Sequence, residues 1–157
     1  MNNSDYIYMK EALKEAKKAY KIGEVPIGCV IVQNDIIIAR GYNKRQTTKN
    51  AIMHAEIIAI NKACKKLNRW ILDDCTIYVT LEPCPMCAGA ILQSRMKRVV
   101  FATEEPKFGA CGSIVNLLNN PSFNHQVSIT SGIMQEESKE LLQNFFHILR
   151  QKGQNRI

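Results

Sequence analysis

Five short β-branched runs interleaved with four stretches of helical periodicity constrain this chain more than any other feature. Ile27 to Val32 and Ile36 to Ala39 flank Gln33-Asn34-Asp35, which is a hairpin signal, and Thr76 to Thr80, Arg98 to Ala102 and Val127 to Thr130 read as three further strands. Met9, Ala12, Leu13, Ala16, Ala19 and Tyr20 recur at helical spacing, with Ser4 and Asp5 as candidate caps and Gly23 as the stop. Met53 to Leu67 and Met86 to Gln93 repeat the helical pattern, while Leu141, Leu142, Phe145, Phe146 and Leu149 draw one stripe on a closing helix. A polar loop, Asn43 to Asn50, and a Gly-containing connection from Thr103 to about Asn124 carry neither period. The order α-ββ-α-β-α-β-loop-β-α predicts an α/β fold in which five strands form a mixed sheet covered by helices on both faces.

At 157 residues, 46% hydrophobic and 22% charged, the chain is expected to pack as one domain. No repeat or linker divides it, so residues 1–152 are read as a single unit and 153–157 as a frayed tail. No apolar run approaches the ~18 residues that span a bilayer. The start, Met1-Asn2-Asn3-Ser4-Asp5, lacks a basic region, and Lys10, Glu11, Lys14 and Glu15 interrupt the next stretch, so no secretory leader is expected. Cytoplasmic residence is the resulting expectation, and the six cysteines then favour metal binding over a disulfide framework. A net charge of +7 suits a polyanionic partner, because lysine and arginine displace counterions from phosphates.

The chemistry concentrates in His54-Ala55-Glu56 and Pro83-Cys84-Pro85-Met86-Cys87, each placed where a helix begins. Cysteines at i and i+3 in a first helical turn share a face and can grip one ion, with His54 as the third donor. Two thiolates and an imidazole suit zinc, one per chain. Three protein ligands leave a fourth position for water, whose pKa the cation lowers toward ~7. Glu56, two residues from His54, can border the same cavity without binding metal and can carry protons there. Two alternatives stay open at this point. Cys111, Cys75 or His125 would close the site as a structural zinc knuckle, or His54, Cys84 and Cys87 would be ordinary buried side chains. Cys29, Cys64 and Cys75 read as core residues, and His125 and His147 as structural or surface groups.

His-x-Glu followed by Pro-Cys-x-x-Cys resembles the zinc deaminase signature. The likeness runs from about Asp5 to Arg150 through Gly23-Glu24-Val25-Pro26-Ile27-Gly28, Asn43, Leu81-Glu82-Pro83-Cys84-Pro85-Met86-Cys87-Ala88-Gly89-Ala90, Ser94-Arg95, Gly112-Ser113, Phe123-Asn124-His125 and Phe145-Phe146. Over that length the chain resembles the bacterial tRNA-specific adenosine deaminases. The resemblance implies a three-layer α/β/α sandwich of the cytidine deaminase-like fold, a homodimer, and conversion of adenosine to inosine at the wobble position of tRNA, with the arginine acceptor of anticodon ACG as substrate. It implies attack at C6 of adenine, with Glu56 protonating N1 and then the departing amino group. Asn43 and the backbone of Ala55 match positions that hold the flipped base, and Glu105 and Lys107 lie in a loop that approaches the neighbouring nucleotides. Phe146 and Arg150 match positions that meet the anticodon loop. The chain carries Glu105 where members commonly have aspartate, His147 where an arginine often follows the double Phe, and Ala51 where a proline often precedes the histidine.

Read from residues alone, Asn43 also suits an Asx-turn, and Phe146 also suits the core stripe. A deaminase of free bases or nucleosides would use the same ion and glutamate. A non-catalytic, zinc-stabilised RNA-binding module is the third possibility. The basic loop Lys44, Arg45 and Lys49, with the Phe-Phe helix, leans toward RNA.

Overall fold

A computed structural model describes residues 3–153. The expected frayed tail therefore lies, apart from Gly153, outside the described residues. In chain order the elements are α1 (Asn3–Lys21), β1 (Gly28–Gln33), β2 (Ile36–Tyr42), α2 (Arg45–Thr48), α3 (Ala55–Leu67), β3 (Cys75–Leu81), α4 (Pro85–Gln93), β4 (Arg98–Thr103), β5 (Ser128–Ser131) and α5 (Gln135–Gln151). All five expected strands and all four expected helices are present. The short α2 is an addition inside what the sequence marks as a polar loop.

The strands form one mixed sheet in the order β2-β1-β3-β4-β5. β1 runs antiparallel to β2 and β3, whereas β3, β4 and β5 are parallel. The β1–β2 reversal is made by Asn34 and Asp35, both left-handed at φ 50° and 62°, a conformation whose twist suits a tight hairpin.

Period-two alternation divides the core between the two faces. Cys29, Ile31, Ile77, Val79, Val99 and Phe101 pack with Ala59 and Ala63 of α3 and Ala88 and Ile91 of α4. Val30, Val32, Tyr78, Val100 and Ala102 pack on the opposite side with Met9 and Ala12 of α1 and with Ile133. The result is the three-layer α/β/α arrangement expected. α3 lies unusually close to the sheet: a Cβ at Gly41 of β2 would stand 2.5 Å from the carbonyl oxygen of Ala55.

Asp5 corrects one expectation. It sits inside α1 instead of capping it and is 1% exposed. Its carboxylate accepts hydrogen bonds from Arg98 at 2.9 and 2.7 Å and from the Tyr78 hydroxyl at 2.7 Å, which ties the first helix to β3 and β4. Burial pushes this carboxyl up, but the Arg98 and Tyr78 hydrogen bonds and the Arg98 charge outweigh it and hold it below its ordinary value. No helix among the described residues is long and apolar enough to cross a membrane.

Candidate active site

The register brings the start of β1 and the ends of β2, β3 and β4 to one edge of the sheet, since Gly28 pairs with Tyr42, Cys29 with Val79, and Leu81 with Thr103. Open α/β sheets bind ligands beyond the carboxyl ends of their parallel strands, and here a cavity of about 360 Å³ opens at that edge. Val25 and Ile27 line it ahead of β1, and Asn43 and Arg45 after β2. His54, Ala55 and Glu56 come from the start of α3, Leu81, Glu82 and Cys84 from the β3–α4 junction, and Glu105, Lys107 and Phe108 from the segment after β4.

Both donor clusters sit at helix starts for local reasons. His54 is the N-cap of α3, in extended conformation at φ −78° and ψ 157°, immediately ahead of the helix that Ala55 begins. Cys84 caps α4 at φ −74° and ψ 173°, and Pro85 takes the first helical position, where its missing N–H costs nothing. Cys87 then stands one turn along, as its spacing predicts. The His54 Nδ1 atom lies 3.7 Å from the Cys84 sulfur and 3.5 Å from the Cys87 sulfur. A tetrahedral zinc with bonds of ~2.3 Å to sulfur and ~2.0 Å to nitrogen requires roughly 3.5 Å between such a pair, so the donor set fits the ion. Among the described residues these three form the His/Cys/Asp/Glu cluster able to hold a metal, with donor atoms all within 4.8 Å of one another. Cys75, Cys111 and His125 stand outside it. His125 bonds the Met96 carbonyl at 2.9 Å, while Cys29 and Cys75 are fully buried, as expected of core residues.

The Cys84 thiol is pulled down to about 4, chiefly by a hydrogen bond from Cys87 that outweighs burial, with His54 helping. Cys87, which donates that bond and is buried, is raised. His54 is raised by its hydrogen bond with Cys84 against the effect of burial, with the Glu56 charge adding to the rise. Glu56 is 4% exposed, and burial pushes its carboxyl up to about 7, with the Cys84 charge contributing and a backbone N–H opposing. A carboxyl so placed exchanges protons near neutral pH, which suits general acid and base work.

Asn43 satisfies both readings of its residue type. Its Oδ1 accepts from the Arg45 N–H at 3.1 Å, an Asx-turn, and its Nδ2 donates to the Val25 carbonyl at 3.2 Å. One amide hydrogen and one oxygen lone pair are left over on the cavity wall. Ala55, Glu105 and Lys107 also line the cavity, whereas Phe146 and Arg150 stand on α5 outside its lining. Phe146 is 37% exposed and meets Phe145 edge-on; Phe145, against Tyr20, is the core member of the pair.

Two buried carboxylates that brace segments lining the cavity were not singled out by sequence reasoning. Glu24, fully buried, accepts from the backbone N–H groups of Gln46 at 3.0 Å and Thr47 at 2.6 Å, and so anchors α2 beside Asn43. Glu82 accepts from the segment after β4. Burial raises the Glu82 carboxyl, but hydrogen bonds from Ser113 and from the N–H groups of Glu105, Cys111 and Ser113 hold it below its ordinary value. The only sequence signal was a carboxylate set among apolar and proline neighbours, in Glu24-Val25-Pro26 and Leu81-Glu82-Pro83.

The MafB19-like deaminase family model matches residues 3–150. The tRNA-specific adenosine deaminase of Bacillus subtilis (strain 168) is 53% identical over 148 residues, covering 94% of this chain and 92% of that protein. That of Aquifex aeolicus (strain VF5) is 43% identical over 143 residues, covering 91% and 94%. A solved structure from work on A-to-I editing by tRNA:A34 deaminases at the wobble position of transfer RNA superposes with a TM-score of 0.83 at 40% identity, covering 87% of this chain and 99% of that one. With a fold and a sequence held in common over nearly its full length, this chain belongs to the MafB19-like deaminase family and to the tRNA-specific adenosine deaminases.

Proposed function

We propose that this chain is a single zinc-dependent deaminase domain over residues 1–152 that converts adenosine to inosine at the wobble position of a cytoplasmic tRNA, the arginine acceptor with anticodon ACG. The observation that carries this reading is the meeting of His54, Cys84 and Cys87 beside the buried Glu56, with His54, Cys84 and Glu56 on the wall of one cavity. The likeness to tRNA-specific adenosine deaminases supports the choice of substrate.

His54, Cys84 and Cys87 would hold the ion, which when bound supplies Lewis-acid chemistry that lowers the pKa of water to ~7. Water adds to C6 of the adenine, the C6–N6 bond breaks, ammonia departs and a C6 carbonyl remains. Glu56 takes one proton from water and delivers it to N1, then takes the second from the resulting C6 hydroxyl and passes it to the amino group, which leaves as ammonia. Asn43, braced by Arg45 and Val25, offers its remaining donor and acceptor to the base edge, and the Ala55 backbone borders the ring. The target must leave its stack to enter, which costs least for an unpaired anticodon base. Glu105 and Lys107 meet flanking nucleotides from the cavity rim, and Phe146 and Arg150 extend the contact onto α5.

A homodimer belongs to this reading, supported by the exposed apolar side chains of Ile52, Ile114 and Val115 on loops outside the cavity lining. Sedimentation as a monomer at micromolar concentration would overturn it. The substrate is tested by incubating zinc-loaded protein with an ACG anticodon stem-loop, free adenosine, cytidine and guanine, and sequencing the RNA, where inosine reads as guanosine. Rapid turnover of a free compound with an inert stem-loop would reject the tRNA reading.

A further inference from the structure

Glu82 follows the last residue of β3 and is 3% exposed, yet all four described hydrogen bonds to its carboxylate come from one segment that lies far along the chain. Its Oε1 accepts from the Glu105 N–H at 3.0 Å and from the Ser113 hydroxyl, and its Oε2 accepts from the N–H groups of Cys111 at 3.0 Å and Ser113 at 3.1 Å. The donors bracket Glu105 to Phe108, and Glu105, Lys107 and Phe108 line the cavity. A second tie runs from the Ala110 N–H to the Pro83 carbonyl at 2.9 Å. Gly109 completes the arrangement, because a Cβ there would strike the Glu82 carboxyl. The segment has no helix of its own, and its strand pairing is a single bridge between Cys111 and Asn116. One buried anion therefore gathers both ends of a wall that regular structure does not hold.

We propose that Glu82 is the positioning residue of the recognition wall: itself part of the cavity lining, with its carboxylate engaged by these donors, it places Glu105, Lys107 and Phe108 against the nucleotides beside the target base, and so sets the affinity for RNA through them. The proposal rests on the reading that the cavity takes an anticodon loop. Glu82→Gln keeps the shape but turns an NH2 group toward donors that need an acceptor. Gly109→Ala displaces the same carboxyl from the other side. Ser113→Ala removes the hydroxyl donor and leaves three N–H donors in place.

The experiment measures kcat and KM for the stem-loop with zinc-loaded parent and variants, after zinc content and circular dichroism have been matched. In Glu82→Gln, KM is expected to rise at least ~10-fold while kcat stays within about threefold. Ser113→Ala is expected to give an intermediate rise. The Glu82→Gln, Gly109→Ala double variant is expected to be no worse than Glu82→Gln alone, since both act through one carboxyl. A merely structural role would lower the active fraction, and with it the apparent kcat, at unchanged KM; that result overturns the proposal. Should Glu82→Gln fail to fold, the other two single variants decide, and parental KM in both overturns it. Parent protein that leaves the stem-loop untouched would refute the functional reading instead. Hydrogen exchange then judges Glu82 alone: faster exchange of the Glu105, Cys111 and Ser113 amides in Glu82→Gln supports loop building, and unchanged exchange overturns it.

Discussion

Replacing Gly41 with alanine asks how firmly the position of Glu56 is tied to the sheet. A Cβ at Gly41 would lie 2.5 Å from the Ala55 carbonyl oxygen and 3.0 Å from the Ala59 amide nitrogen. Both obstacles are backbone, so neither can rotate away. Relief to an ordinary contact of 3.4 Å requires α3 to back off by about 0.9 Å, carrying His54, Ala55 and Glu56 with it. Overpacking of this kind costs ~1–3 kcal/mol. At ~2–4 °C per kcal/mol for a chain of this size, Tm should fall by about 2–12 °C. A catalytic group moved by ~1 Å commonly loses ~10²-fold in rate. Gly41→Ala is therefore expected to melt lower by calorimetry and to release ammonia about a hundredfold more slowly in single-turnover assays at saturating zinc. Gly89→Ala is the control, since a Cβ on that face of α4 meets nothing within 4 Å. Alanine there should stabilise the helix by up to ~1 kcal/mol. A Gly41→Ala protein with parental Tm and parental rate would refute the idea that close seating of α3 places Glu56.

Three further outcomes are expected. Glu56→Gln should keep its fold and one zinc per chain while kcat falls at least ~10²-fold, and undiminished turnover would remove Glu56 from proton transfer. Cys87→Ser should lower zinc per chain, measured by atomic emission after dialysis, and full retention would reject that sulfur as a donor. Acid should unfold the protein partly through Asp5: its carboxyl is held below the ordinary 3.8, so its contribution is complete above that value and is lost as pH falls through the folded one. Asp5→Asn should therefore flatten the acid side of a Tm-against-pH curve, and an identical curve would show that the Asp5–Arg98 pair contributes nothing there.

The His54, Cys84 and Cys87 grouping was legible because its information is local. A proline after Cys84, a cysteine three residues on and a His-x-Glu at another helix start need no knowledge of distant chain. Strand alternation was legible for the same reason. What escaped was structure made by partners remote in sequence. The polar run after Asn43 has no apolar period, yet α2 forms within it because a carboxylate 22 residues earlier accepts its first N–H groups. Glu24 and Glu82 escaped notice because carboxylates are surface residues by default, and only N–H groups brought in from elsewhere reveal why these two are buried. Periodicity alone did not separate Phe145 from Phe146, since the stripe on α5 is wide enough to hold both and packing against Tyr20 selects the first.

Parallel strands are usually joined by a crossover helix, but β4 and β5 are joined by residues 104–127 without one. A helix in that place would have to keep its packing face, whereas an irregular connector can change length and composition freely between its anchor points. The His54, Cys84 and Cys87 grouping and the cavity wall of Glu105, Lys107 and Phe108 thus lie in separable stretches of the chain. A lineage can rewrite that connector without disturbing the grouping, provided it preserves the acid at 82 and the bare backbone at 109.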